Sequence, residues 1–333
     1  MTSTGRRTVL VIGGAGRSGS TLLDRLLGEL PGFAAVGELR YIWSEALTDN
    51  RLCGCGARFL ACPFWLDVGM RAYGGWDRID SQQAVSLERS IARHRHIPLL
   101  AMGGSMPSRY AARIQEYLAM LTPLYQAISD ASGASVIVDS TKDAAYAHVL
   151  RRMPGVDFRL LHLVRDSRGV AWSWAKVVKS QEVVGRDHYM RQFAPSVTGL
   201  RWMAFNLIVE SLGWFGVPRL LLRYETLVAD PAAALAAIAA FAGKPVPAAE
   251  MVFLDGDGAR LGVHHTVAGN PMRLTAGRID IRMDDEWRTS MPFGQRAGVT
   301  ALTWPLLRHY AGSPPRELAS ATHDLARPEG SSR

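Results

Sequence analysis

The residues best equipped for chemistry lie in Gly14-Ala15-Gly16-Arg17-Ser18-Gly19-Ser20-Thr21. Gly14 and Gly19, with four residues between them and Ser20-Thr21 after, nearly spell the loop that cradles nucleoside triphosphates. In that loop backbone N–H groups and a helix N-terminus point at phosphate oxygens. The lysine that reaches the β- and γ-phosphates is missing; Ser20 stands in its place, and Arg17 adds a cation inside the turn. That set of residues suits an anionic ligand with no γ-phosphate to grip, rather than ATP or GTP. Four further polar clusters follow apolar runs directly: Gly37-Glu38, Asp139-Ser140-Thr141-Lys142, Arg165-Asp166-Ser167 and Arg223-Tyr224-Glu225. Several of them supply a cation.

These groups need elements to hold them. Five apolar runs, Thr8–Ile12, Phe33–Val36, Val136–Val138, Phe158–Val164 and Leu220–Leu222, read as buried parallel strands, most of them separated by helical patterns. In such a sheet ligands sit at the carboxyl ends of the strands, where all five polar clusters fall. Leu22, Leu23, Leu26, Leu27 and Leu30 give the helix after the glycine turn. Residues 51–132 hold no clear strand. They read as a mostly helical insertion packed over one end of the sheet, with Pro107–Ala131 its best helix. A helix over Pro231–Ala242 is capped by Asp230 and stopped by Gly243. Long loops follow Glu250, and a helix near Gln295–His309 closes the domain. The expected fold is α/β: a P-loop-type central parallel sheet with helices on both faces. Residues 1–315 form one domain and 316–333 a flexible polar tail. No repeat of 20 to 50 residues is visible.

The formal charge is +8, carried by 34 arginines and four lysines against 30 acidic residues. A basic balance suits a polyanionic ligand or nucleic acid, but the basic residues are scattered rather than clustered, which counts against nucleic acid. The longest apolar run falls far short of a membrane span. Arg6-Arg7 before an apolar stretch imitates a secretion signal, but the stretch breaks at Gly13-Gly14, so a cytoplasmic protein is expected. All three cysteines lie in Cys53-Gly-Cys55-Gly-Ala-Arg-Phe-Leu-Ala-Cys62, and the nearest histidine along the chain is His94. Zinc needs four ligands, so a stapled or thiol-containing surface loop anchored by Pro63-Phe64-Trp65 is expected, and no metal. Trp172, Trp174, Trp202 and Trp214 lie at helical spacings and are expected in the core.

The chain resembles the sulfotransferases that use 3′-phosphoadenosine-5′-phosphosulfate (PAPS), in particular the bacterial group related to the tyrosylprotein enzymes. Arg17-Ser18-Gly19-Ser20-Thr21-Leu22-Leu23 resembles that family's 5′-phosphosulfate loop, which extends here from Gly16. Leu163 to Ser173, LVRDSRGVAWS, resembles its 3′-phosphate motif; the resemblance implies that Arg165 and Ser173 hold the 3′-phosphate. Asp139-Ser140-Thr141-Lys142, Arg223-Tyr224-Glu225-Thr226-Leu227, His265 to Arg273 and the Cys53–Trp65 loop also match patterns of the group. The likeness runs from about Thr8 to Tyr310. It implies donor contacts at Gly269, Asn270 and Arg273, and an adenine wall at Tyr224. One position departs: Val177 stands where the tyrosylprotein enzymes carry an arginine, beside Lys176.

The implied reaction moves a sulfuryl group from PAPS to a hydroxyl on a small molecule or peptide and releases adenosine 3′,5′-bisphosphate. By analogy with phosphoryl transfer, catalysis is mostly positioning and charge stabilisation, with Arg17 and Lys142 the candidate cations at the departing oxygen. A base must take the acceptor proton. Glu38, ending the second strand beside the loop, is the candidate; it lies at the interval from Arg17 at which the tyrosylprotein enzymes carry their glutamate. His264 and His265 are its rivals. No metal is expected, because this donor lacks the β,γ-phosphate pair that recruits magnesium. An ATP-dependent kinase on the same fold and a non-catalytic nucleotide-binding module are the alternatives. Acceptor choice is expected in loops over the sheet edge, residues 40–130 and 180–200, and the oligomeric state is left open.

Overall fold

The computed structural model describes residues 6–102, 105–176, 179–180, 188–189 and 191–312. Five strands form the central sheet: β1 Arg7–Gly13, β2 Phe33–Ala35, β3 Val136–Lys142, β4 Val156–Val164 and β5 Arg219–Arg223. Their order is β2-β3-β1-β4-β5, and every pairing is parallel. All five predicted strands are present. β3 runs four residues further than its apolar core, so Asp139 to Lys142 lie on the strand itself.

The strand centres are mostly apolar because both faces are covered. Successive side chains alternate between faces, so β1 divides its residues between two cores. Leu10 and Ile12 pack with Val138, Leu161, Leu163 and Leu220 under helix α1 (Ser20–Gly28). Val9 and Val11 pack with Ile137 and Leu160 on the other face. The insertion supplies that second core through α2 (Pro63–Tyr73), α3 (Ser81–Ile91) and the long α4 (Ser108–Ser132). It therefore lies on a face of the sheet rather than over one end. Ile114, Leu118, Leu121, Tyr125 and Ile128 give α4 an apolar stripe at helical spacing, and a stripe of that length needs a sheet face to bury it.

Helix α5 (Ala144–Leu150) follows β3, and α6 (Ser167–Ala175) follows β4. The chain continues through α7 (Pro195–Trp214) to β5 and then α8 (Pro231–Phe241), capped by Asp230 as expected. The segment expected to be loop after Glu250 contains a small antiparallel sheet: β6 Leu254–Asp255, β7 Gly258–Leu261 and β8 Gly277–Asp280. Strands of two to four residues are too short to show alternation in a sequence. Helix α9 (Phe293–Gly312) closes the described chain. No helix among the described residues is long and apolar enough to cross a membrane.

Candidate active site

The glycine loop joins β1 to α1. Gly14, at φ 135°, turns where an added Cβ would come 2.2 Å from the Leu163 carbonyl oxygen, so only glycine lets the loop cross β4. Gly19, at φ 89°, is the N-cap of α1 and offers no side-chain acceptor; the first turn holds no acidic residue. The opening N–H groups and the positive end of the helix dipole thus face the loop with no capping side chain and no acidic residue in the first turn. The Ser18 hydroxyl is buried with no protein partner among the described residues. Arg17 adopts a left-handed backbone (φ 68°), and its guanidinium lies over the Trp174 ring, 5.2 Å from the centroid. Partial burial lowers its pKa from the ordinary arginine value. Trp174 also donates Nε1–H to the Gly16 carbonyl at 3.3 Å. Ser20 is buried and Thr21 half-buried at the start of α1.

Arg165, at the end of β4, is the second cation. Its Nη1 donates to the Arg17 carbonyl at 3.2 Å, and its Nη2 donates to the Asp284 carbonyl at 2.7 Å and pairs with the Asp284 carboxylate at 2.9 Å. The guanidinium lies 4.7 Å over the Tyr224 ring. Tyr224 packs so closely on the loop that a Cβ on Gly19 would sit 2.5 Å from its ring. Its hydroxyl donates to the Arg282 carbonyl at 3.3 Å. Tyr224 is thus a buried spacer between loop and Arg165, and little of its ring is left to form a wall. Ser173 is half-buried on α6; Arg165 at the start of the motif meets the loop at Arg17, and Trp174, the residue after Ser173, meets it at Gly16.

Glu38 lies three residues beyond β2, and Lys142 ends β3 on the neighbouring strand. Lys142 Nζ lies 2.5 Å from Glu38 Oε1 and donates to the Ser140 carbonyl at 2.9 Å. Lys142 is also the sheet partner of Gly13, so β3 puts an ammonium group beside the mouth of the glycine loop, whose own lysine is missing. Its backbone is left-handed (φ 66°). Of the four non-glycine residues with positive φ among those described, Arg17, Lys142 and Ala268 all border this site. Conformations of that kind persist where surrounding structure enforces them and cluster at functional sites.

The 264–273 segment forms the far wall. Val267 bridges Gly37, and the Glu38 N–H donates to the Val267 carbonyl at 2.7 Å. A Cβ on Gly269 would lie 3.3 Å from Glu38 Oε1, which sets that glycine against the carboxylate. Asn270 accepts from the Met272 N–H, capping the short turn that follows. Arg273 is 1 % exposed, and its guanidinium donates to the carbonyls of Thr266 and Leu52. Its own carbonyl accepts from Arg25 on α1 at 2.7 Å. These bonds make Arg273 a fastener of this wall. Val177 lies outside the described residues. Lys176 pairs with Glu286.

No family model matches the chain, and no curated protein matches it. Among solved structures it is similar to the sulfotransferase domain of the Synechococcus PCC 7002 olefin synthase, with 19% identity, 92% of this chain and 95% of that one covered, and a TM-score of 0.48. It is similar also to the sulfotransferase domain of the curacin biosynthetic pathway (17% identity, 91% and 98% covered, TM-score 0.47). A third is the sulfotransferase STF9 from Mycobacterium avium (13% identity, 74% and 67% covered, TM-score 0.40).

Two expectations are corrected by the placement of side chains. Trp202 is buried as expected and donates to the Arg165 carbonyl, but Trp214 is 78% exposed at the end of α7, and Trp172 and Trp174 are half-buried. The cysteines are not a surface loop: Cys53 and Cys62 are buried, and all three meet His265 rather than His94. His94 instead faces Asp143 at 3.3 Å. His264 pairs with Glu29 at 2.6 Å. Both histidines that rival Glu38 as base are therefore engaged by other groups. Asp24 is a group the sequence reading passed over. It is fully buried on α1, and burial pushes its carboxyl up to about 7 despite Lys142 nearby.

Proposed function

We propose that this chain is a sulfotransferase that moves a sulfuryl group from PAPS to an acceptor hydroxyl. The observation that carries the reading is the contact between two anion sites. The glycine loop, with Arg17 and an uncapped helix N-terminus, meets Arg165 at the next strand end, while Glu38 and Lys142 stand on the other side of the loop. A donor with phosphate groups at both the 5′ and 3′ positions needs two such cationic sites within one nucleoside's reach. The residues fit that donor: residues 16–21 would take the 5′-phosphosulfate, and Arg165 with Ser173 the 3′-phosphate. Tyr224 would hold Arg165 in place.

In the transfer, the acceptor oxygen bonds to sulfur while the bond from sulfur to the phosphate oxygen breaks. The electron pair stays on that oxygen, which leaves as part of adenosine 3′,5′-bisphosphate. The acceptor proton passes to a Glu38 carboxylate oxygen. Arg17, Lys142 and the loop N–H groups stabilise the charge gathering on the leaving oxygen. Lys142 touches Glu38 directly, so it also holds that carboxylate in position.

The test is a thermal-shift series with adenosine 3′,5′-bisphosphate, AMP and ATP with magnesium. At a hundredfold excess over its dissociation constant, the bisphosphate stabilises by about 2.7 kcal/mol, a rise of about 4 °C for a domain of this size. AMP at the same concentration gives a clearly smaller rise. A larger rise with ATP and magnesium, or equal rises with AMP and the bisphosphate, overturns the reading.

A further inference from the structure

Cys53, Cys55, Cys62 and His265 are brought together from two distant parts of the chain, with all four ligand atoms within 4.8 Å of one another. Cys62 Sγ lies 3.2 Å from His265 Nδ1, Cys53 Sγ lies 3.7 Å from the same nitrogen, and Cys55 Sγ lies 3.6 Å from Cys62 Sγ. A disulfide would need about 2.05 Å between sulfurs, and no cysteine here is paired. A tetrahedral zinc ion with bonds of about 2.3 Å to sulfur and about 2.0 Å to nitrogen spaces its ligands at about 3.8 Å for S–S and about 3.5 Å for S–N. The observed separations match those edges. We propose that the four residues form a closed Cys3His zinc site, structural rather than catalytic, because the protein supplies all four ligands.

The surroundings are built for the site. The Cys53–Ala57 turn is closed by the Gly56 N–H donating to Cys53 and the Cys53 N–H donating to Ala57, with Gly56 at φ 86°. That turn aims two thiols inward from one loop. Gly54 lies so close to the histidine segment that a Cβ would sit 2.4 Å from Thr266 Oγ1 and 2.5 Å from the His264 carbonyl. Its N–H donates to the Thr266 carbonyl at 3.0 Å. The imidazole of His265 is clamped by the Phe64 ring, stacked at 4.7 Å and 9°, and its carbonyl accepts from Trp65 Nε1 at 3.1 Å. Such outer contacts hold a metal-binding imidazole in orientation. The neighbouring histidine, His264, turns the other way to Glu29. Soft thiolates with one imidazole in tetrahedral array select zinc over magnesium or calcium.

The consequence reaches the candidate active site. Zinc here ties the 53–62 loop to the segment 265–267, whose Val267 carbonyl receives the Glu38 N–H. The metal would fix the backbone that presents Glu38 without touching the reaction. This proposal is independent of which group the site transfers, because its test reads metal and not turnover.

The full chain, purified without chelators, is analysed for metals by mass spectrometry and for metal ligands by X-ray absorption. The expected result is about one zinc per chain with three sulfurs and one nitrogen in its first shell. Adding a mercurial reagent to the folded chain releases that zinc as the thiols are consumed, read with a metal-indicator dye. Cys62→Ser and His265→Ala lose the zinc, while His264→Gln keeps it. If either of the first two does not fold, the release experiment on the unaltered chain still decides. A chain that carries no zinc overturns the proposal. So does zinc that stays bound after all three thiols have reacted, or a first shell without sulfur.

Discussion

Replacing Arg165 by Lys separates charge from geometry at the second anion site. The Arg165 side chain is 7% exposed and its guanidinium is fully engaged, with Arg17, Asp284 and the Tyr224 face around it. Lysine keeps the charge but loses the planar fork that meets two phosphate oxygens at once, and it stacks less well on the ring. A bound 3′-phosphate displaces the Asp284 carboxylate, so the gain is that of exchanging one charged partner for another. Losing one charge-assisted hydrogen bond costs about 1.5–3 kcal/mol, or about 10- to 150-fold in affinity. Calorimetric titration of both proteins with adenosine 3′,5′-bisphosphate and with AMP isolates the effect in a cycle. AMP, which lacks the 3′ group, is expected to lose less than threefold, on the order of 0.6 kcal/mol. Equal losses for the two ligands would mean that Arg165 supports the loop rather than reads the 3′-phosphate. Unchanged bisphosphate affinity would refute the assignment outright.

Two further outcomes follow from the same geometry. Glu38→Gln preserves the shape beside Lys142, so bisphosphate binding should stay within a few-fold while release of adenosine 3′,5′-bisphosphate from PAPS in the presence of a hydroxyl acceptor falls roughly 10²- to 10⁴-fold; full turnover would remove Glu38 as base. Asp24→Asn tests the buried carboxyl on α1, whose pKa stands at about 7 in the fold against 3.8 as the ordinary value. The native state then holds a proton that the unfolded chain releases, so stability from this group is highest at acid pH, falls as pH rises from about 4 to about 7 and levels above, a loss of up to about 4 kcal/mol. Chemical denaturation should find the variant level with the parent near pH 4 and more stable at pH 8; a gap that does not grow with pH contradicts the burial argument.

The local elements were legible because their causes are local. Apolar runs of three to seven residues marked all five sheet strands, and the glycine pattern with its leucine-rich helix marked the loop. Asp230 and Pro231 marked the start of α8 in the same way. Where the signal needed more chain than an element possessed, it failed: β6, β7 and β8 are too short to alternate, and Trp214 shares its helical spacing with Trp202 while facing solvent.

What the sequence by itself determined, then, is the kind of chemistry available at each strand end: a phosphate-type loop without its lysine, a carboxylate, an ammonium and a second arginine. Only the tertiary structure decided which of these meet. The order β2-β3-β1-β4-β5 sets Lys142 against Glu38, 104 residues earlier, and Arg165 against Arg17. It also decided that Arg273 spends its guanidinium on backbone carbonyls and that His265 joins cysteines more than 200 residues away. The physical reason is range. Periodicity, capping and glycine freedom act within a few residues, whereas strand order is set by burying both sheet faces under connections of fixed hand, a condition on the whole chain.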